Sequence, residues 1–397
     1  MITNARIVHC DSYEDAYKEI KKVGSCEHGA KAMADKAVHV LLRLDMVPTV
    51  AANIIKQEML SKGGEAAVSK GTVDLADSHT SILLMGTIKQ YKLLTGKLKL
   101  QQFKLPTIAK EIEETLAQRE RTLPALKMND QDFHWDRQTY IMGILNVTPD
   151  SFSDGGLFID PDKAIIRARE MVHDGADIID IGAESSRPGH NKLSLQEEEK
   201  RLFPALEKVL QEVKVPVSID TTKAYIAKRA LKMGASMIND ISFLKDDPAL
   251  IRAVAQKKAA LVIMHNREKA EYIDLMGEIM GDIRDGIDRA LDAGVNKDKI
   301  IVDPGIGFGK TAVHNLIVLQ HLKEIKSLGF PLLVGPSRKS FIGKTLDLPV
   351  QERVEGTAAA VSLSIAGGAD FVRVHDVKAM RRVADMSDAI VRHQEEL

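Results

Sequence analysis

The sequence predicts an α/β chain, a (β/α)8 TIM barrel preceded by a smaller mixed α/β N-terminal domain. Three observations predict it. From about residue 138 onward, eight short runs rich in Ile, Val and Leu alternate with longer amphipathic segments, as βα units around a parallel sheet require. The first and last runs begin at residues 140 and 371, so the seven intervals average 33 residues, about one βαβ unit each. Nearly every run ends in polar residues, and a barrel of this kind gathers the ends of its strands at one mouth.

The runs are 140–146, 178–181, 217–220, 237–240, 260–264, 300–303, 331–335 and 371–374. Several are preceded by a glycine at the end of a helical pattern: Gly175, Gly234, Gly294 and Gly368. A left-handed helix C-cap costs least at a residue without Cβ, so these joints end one helix and start the next strand. The barrel is assigned to residues 126–397.

Residues 1–125 read as a small helical α/β module. Segments 30–43 and 50–61 have helical patterns, 82–85 is a short apolar strand, and Gly63, Gly64 and Gly71 punctuate them. Lys89, Lys92, Lys97, Lys99 and Lys104 form a basic, solvated stretch around a helix that Gly96 is expected to end. Leu105-Pro106 and the charged helix 107–122 form the connector, since proline restricts its predecessor and suits a helix start. The module is expected to pack on the barrel or to mediate assembly.

With 397 residues, 44% hydrophobic and 28% charged, the chain has material for a sizeable core. A net charge of −1, from 55 basic and 56 acidic residues, argues against a dedicated nucleic-acid binder. The only cysteines, Cys10 and Cys26, exclude a disulfide framework for the main body. His9 and His28 beside them do not make a familiar zinc spacing. With no signal-like N-terminus and no apolar run of spanning length, the expected location is cytoplasmic, without a membrane partner.

The polar ends of the runs carry the chemistry. Run one leads into Asn146-Val147-Thr148-Pro149-Asp150, run two into Glu184-Ser185-Ser186-Arg187-Pro188-Gly189, run three into Asp220-Thr221-Thr222 and run four into Asn239-Asp240. Later runs supply Met264-His265-Asn266, Asp303-Pro304-Gly305, Ser337-Arg338-Lys339-Ser340 and Arg373-Val374-His375-Asp376. Taken singly, these residues have ordinary readings. Asp220, Asn239 and Ser340 suit helix caps, Asp303 and Asn146 suit turns, Lys339 a solvated side chain, Arg373 an ion pair and His375 a packed ring.

Together, seven segments in order resemble the dihydropteroate synthases of the pterin-binding barrel family. They are GILNVTPDSFSDGG (143–156), SSRPG (185–189), SIDTTK (218–223), INDIS (238–242), DPGIGFGKT (303–311), GPSRKSF (335–341) and RVHDV (373–377). The resemblance spans about 260 residues and leaves the N-terminal 130 or so outside it. It implies the joining of 6-hydroxymethyl-7,8-dihydropterin pyrophosphate to 4-aminobenzoate, giving 7,8-dihydropteroate and pyrophosphate in folate biosynthesis, with Mg²⁺ as cofactor.

Under that reading, Asp303 accepts two parallel bonds from the pterin edge, Asn239 donates and accepts at neighbouring ring atoms, and Asp220 faces another ring nitrogen. Lys339 bonds the ring oxygen or covers the ring face, while Met264 and Phe308 line the pocket by resemblance. Arg373 and His375, two apart on one strand face, supply positive charge for pyrophosphate, and Asn146 helps hold Mg²⁺. Asp220 also stabilises the cationic pterin methylene left by pyrophosphate, which makes Asp220, Lys339, Arg373 and His375 the catalytic set. Ser340 suits the aminobenzoate carboxylate, and Asp150, Ser186, Arg187 and Pro188 close over the substrates from loops.

The family pattern has departures. Ser186 stands where a threonine is common, and 266–270 (NREKA) replace a familiar glycine, threonine and proline continuation after Met264-His265. Gly309-Lys310-Thr311 imitates the end of a phosphate-binding P-loop, but Pro304 occupies the position of its first glycine, which excludes that motif. Competing readings are a methyltetrahydrofolate–corrinoid methyltransferase and a non-catalytic pterin sensor. A homodimer is expected, as for many barrel enzymes.

Overall fold

In the strand His39–Pro48 (β1), Leu42, Leu44 and Val47 are buried while Leu41, Arg43 and Asp45 face outward. Leu44 and Val47 share a face although three apart, because pairing skips across a bulge between them, where Met46 adopts φ 54°. The helix expected over 30–43 therefore stops early: it runs Glu27–Ala37, and the residues after it satisfy their backbone groups across a sheet. The computed structural model describes residues 4–72, 74–120, 123–135, 137–148, 161–184 and 193–392. The chain divides into two units, Met1–Arg121 and Thr122–Leu397.

In the first unit, β1, Glu65–Val68 (β2) and His79–Thr87 (β3) form an antiparallel sheet in the order β1-β3-β2. Helices Thr49–Ser61, Ile88–Leu98 and Leu105–Glu120 bury Ile55, Met59, Tyr91, Leu94, Leu98 and Ile112 in one core with Leu42, Leu44, Ile82 and Leu84. Gly96 lies inside Ile88–Leu98 and does not end it, because the packing of Leu94 and Leu98 outweighs the roughly 1 kcal/mol that glycine costs in a helix. Two lysines of the basic stretch form ion pairs, Lys92 with Asp35 and Lys99 with Glu113, each at 2.6 Å.

The second unit opens with a hairpin absent from the sequence reading, Leu126–Met128 (β4) with Gln131–Phe133 (β5). Leu126, Met128, Phe133 and Trp135 pack with Tyr140 and Phe371 and floor the barrel at the N-terminal end of its strands. Eight parallel strands follow: Tyr140–Asn146 (β6), Ile178–Gly182 (β7), Val217–Asp220 (β8), Met237–Asp240 (β9), Ala260–Met264 (β10), Ile300–Asp303 (β11), Leu333–Val334 (β12) and Phe371–Val374 (β13). Their order is β11-β10-β9-β8-β7-β6-β13-β12, and a parallel bridge between Val302 and Leu332 closes the barrel. Each predicted run overlaps one of these strands, and Gly175, Gly234, Gly294 and Gly368 all have positive φ.

Alternation along each strand divides the side chains between two cores. Ile179, Ile181, Ile219, Ile238, Leu261, Ile263 and Val302 point outward against the surrounding helices. Met142, Ile178, Met237, Val262, Ile301, Leu333 and Phe371 fill the interior. Above that apolar filling, the next inward positions are Asp180, Asp220, Asn239, Met264, Asp303 and Arg373, so a polar layer forms at the C-terminal mouth.

Candidate active site

Arg373 organises this layer. Its Nε donates to Oδ2 of Asp180 and its Nη2 to Oδ2 of Asp220, both at 2.7 Å. Burial works against the guanidinium charge, and the two carboxylates more than offset it, so its pKa lies above the ordinary value. Asp220 behaves in the opposite way. Although paired, it is pushed up to about 7, because burial outweighs the pull of Arg373 and Asp180 adds repulsion.

Asp303 ends β11 and is 4% exposed. Its Oδ1 accepts the Gly305 N–H at 2.7 Å, which turns the chain away from the strand. Burial pushes its carboxyl up to about 6 against that bond and the charge of Lys339. Lys339 follows β12, with its ammonium 4.1 Å from the centre of the Phe308 ring. Burial, and then Arg373, push Lys339 down to about 8.

The 305–309 segment approaches its neighbours where a Cβ has no room. A Cβ on Gly305 would lie 1.9 Å from the His265 carbonyl oxygen, and one on Gly307 2.9 Å from Cδ of Lys339, both at positive φ. Lys310 braces this turn from behind, donating to Nδ1 of His265 at 2.8 Å and to the carbonyls of Gly305 at 3.2 Å and Phe308 at 3.1 Å. That explains the P-loop look-alike: the lysine holds its own loop, and burial holds it down to about 7. The departing segment 266–270 is tied down by Arg267, which donates to Asp282 at 2.8 Å and Glu278 at 2.5 Å.

His375 lies just beyond β13. Its backbone N–H donates to Ser337 Oγ at 3.2 Å, and its Nδ1 lies 2.9 Å from the same oxygen. Beside this pair, Arg338 donates to both carboxylate oxygens of Asp376, so two adjacent links join the loops after β12 and β13. Burial and the neighbouring guanidinium groups push His375 down to about 3. At that value the unliganded ring is neutral near pH 7, so that of the pair Arg373 is the cation and His375 offers a hydrogen bond.

Of the predicted residues, Asn146, Asp220, Asn239, Met264, Asp303, Phe308, Lys339, Arg373 and His375 all stand at or just past the C-terminal ends of barrel strands. Ser340 is exposed at the first position of the helix Ser340–Leu346. Contacts join Asp220 to Arg373 and Lys339 to Phe308. Asp150, Ser186, Arg187 and Pro188 lie outside the described residues.

A family model for pterin binding enzymes matches residues 142–375. The dihydropteroate synthase of Clostridium beijerinckii is 49% identical over 268 residues, covering 67% of this chain and 100% of the relative. The chain belongs to the dihydropteroate synthases. A crystal structure of dihydropteroate synthase from Clostridium difficile, obtained in the presence of pteroic acid, matches with TM-score 0.64 and 48% identity over 66% of this chain and 100% of its own. The probable bifunctional folylpolyglutamate synthase/dihydropteroate synthase of Halobacterium salinarum is 37% identical over 375 residues. That match covers 92% of this chain, and so runs into the N-terminal unit, but only 45% of the relative.

Within the synthase barrel, the sequence assigns no role to Asp180, Ser337 or Lys310. For Asp180 a signal existed: a carboxylate inside an otherwise apolar run, two residues before Gly182 and hence on the inward face. Ser337 and Lys310 gain their roles from partners 38 and 45 residues away, which no local pattern announces.

Proposed function

We propose that the mouth of the barrel carries out the synthase condensation as follows. The observation that carries this reading is the joint placement of Asp220, Asn239, Asp303, Lys339 and Arg373 in one largely buried layer, with two carboxylates facing two cations. Asp303 accepts from the amino edge of the pterin, Asn239 bonds a neighbouring ring atom, Lys339 covers the ring or bonds its oxygen, and Met264 and Phe308 line the slot.

Arg373 and neutral His375 bond the pyrophosphate. As the methylene–oxygen bond breaks, its electron pair leaves with pyrophosphate, and Asp220 offsets the charge on the pterin methylene. The aniline nitrogen of 4-aminobenzoate then donates its lone pair to that carbon and loses a proton to solvent. Ser340 receives the aminobenzoate carboxylate, and Asp150, Ser186, Arg187 and Pro188 are assigned to the same substrate from the sequence.

Magnesium suits this donor set as a companion of the pyrophosphate. Among the described residues no group of three or more His, Cys, Asp or Glu could hold a metal. Asn146, at the end of β6, offers one neutral oxygen, appropriate to an ion held mainly by phosphate oxygens and water. The ion supplies charge neutralisation to the leaving group.

A cytoplasmic homodimer is the proposed working form. Free thiols at Cys10 and Cys26 support a reducing compartment, and among the described residues no helix is long and apolar enough to cross a membrane. The dimer rests on the symmetry habit of barrel enzymes, and native mass measures it.

The test of the reaction is pyrophosphate release from dihydropterin pyrophosphate and Mg²⁺, with and without 4-aminobenzoate. Release that depends on 4-aminobenzoate and yields dihydropteroate is expected. Tight pterin binding with no turnover would overturn the reading.

A further inference from the structure

Asp180 lies inside the barrel on β7, fully buried, and none of the roles above uses it. Its Oδ2 accepts from two groups at once, Arg373 Nε at 2.7 Å and Asn239 Nδ2 at 3.2 Å. A carboxylate oxygen can only accept, so the side of the Asn239 amide that faces Asp180 has to be its NH₂ group. The other end of that amide, Oδ1, is buried and has no hydrogen-bond partner among the described residues. A buried acceptor of this kind costs about 1–3 kcal/mol unless a donor reaches it. Asn239 is thus prepared for an N–H donor, such as those along a pterin edge, and Asp180 is what prepares it.

The same carboxylate sets the surroundings of Arg373. The guanidinium spans β7 and β8, one nitrogen on Asp180 and another on Asp220. Register pairing holds β7, β8 and β9 side by side, with Asp180 opposite Ser218, and Asp220 between Gly182 and Asn239.

We propose that Asp180 is a positioning residue, one carboxylate that orients the Asn239 amide toward the pterin and anchors the Arg373 guanidinium beside Asp220. It rests on the synthase reading and adds to it a residue that acts through Asn239 and Arg373. Among the described residues, the charged groups facing Asp220 are Arg373 from β13, Asp180 from β7, Lys339 from the loop after β12 and Asp240 from β9. Removing the Asp180 charge takes away a repulsion and leaves Asp220 as the one carboxylate of the two that Arg373 bonds, and both effects favour ionised Asp220.

The experiment compares the full-length chain with Asp180→Asn, which keeps the size of the side chain, and Asp180→Ala. With folding checked by circular dichroism, Asp180→Asn is expected to raise KM for the pterin pyrophosphate about tenfold, the scale of one hydrogen bond to a charged group, and to leave KM for 4-aminobenzoate unchanged. The acid limb of kcat/KM, which reports the free enzyme, is expected to move to lower pH by about half a unit or more; substrate ionisation is common to both proteins and cancels. A purely structural role would not move that limb. Binding of 6-hydroxymethylpterin, followed by its fluorescence, reads the Asn239 arm without turnover and is expected to weaken. Unchanged pterin binding with an unshifted limb overturns the proposal, as does a loss of activity that only tracks the loss of folded protein. Failure of the synthase reading itself is seen separately, as absent turnover in the wild-type chain, and the binding comparison then still decides the role of Asp180.

Discussion

The ammonium of Lys339 lies 4.1 Å from the centre of the Phe308 ring, and the stem of the same side chain passes over Gly307. Such a desolvated cation–π contact contributes up to about 2 kcal/mol and holds the lysine in place before any ligand arrives.

A methyl group at Gly307 should break that arrangement. Its Cβ would lie 2.9 Å from Cδ of Lys339, at φ 87°. Gly307→Ala is expected to cost about 1–3 kcal/mol in stability from the backbone alone. It should also raise KM for the pterin substrate while sparing KM for 4-aminobenzoate. Thermal melts and steady-state kinetics measure both effects; a variant with wild-type pterin KM contradicts the placement of Lys339.

Asp303 should trade stability for function. Its folded pKa is raised from 3.8 to about 6, so between those values the native state binds more protons than the unfolded chain, and stability falls as pH rises through that window. The shift corresponds to about 3 kcal/mol lost above about pH 6 and absent below about pH 4. Asp303→Asn keeps an acceptor for the Gly305 N–H and removes the charge. It is therefore expected to melt several degrees higher than the wild type near neutral pH, to lose that advantage in acid, and to bind pterin poorly.

The activity profile should be narrow. Asp220 and Asp303 act as carboxylates and Lys339 as a cation, with values near 7, 6 and 8 respectively. The rate constant kcat/KM is expected to fall as pH drops through about 7, more steeply below about 6, and again above about 8. A level profile from about pH 8 down to pH 5 contradicts the requirement for ionised carboxylates.

Ser337 should set the form of His375. Its oxygen accepts the backbone N–H of His375 and lies 2.9 Å from Nδ1; the expected arrangement directs the hydroxyl hydrogen to Nδ1, with the ring proton on Nε2. Nitrogen NMR of the wild type is expected to show a neutral Nε2–H ring near pH 7. Ser337→Ala is expected to mix the tautomers and to weaken pyrophosphate binding about tenfold, the scale of one hydrogen bond. A ring protonated on Nδ1 in the wild type would contradict this.

The barrel was legible because its period was. Runs such as 217–220 and 237–240 coincide with β8 and β9, and the glycine joints lie at positive φ as their place after a helix demands. The N-terminal unit was less legible. Segment 30–43 has a helical pattern to its end, yet 39–43 became strand because β3 offered ladder partners for Leu42 and Leu44. The floor hairpin of β4 and β5 was missed for a similar reason: three-residue strands carry too little pattern to be seen without the aromatic core they cover.

By itself, the sequence determined the eight strands, the end of the barrel where polar groups collect, and the identity of most side chains that stand there. These depend on local periodicity and on residues just past the strand ends. Only the tertiary structure decided how those groups are charged and joined. Asp180 meets Arg373 across 193 residues, Lys310 turns back to His265, and His375 becomes neutral beside two guanidinium groups. Burial and long-range pairing control ionisation and hydrogen-bond direction, and both arise only when the strands close into a barrel.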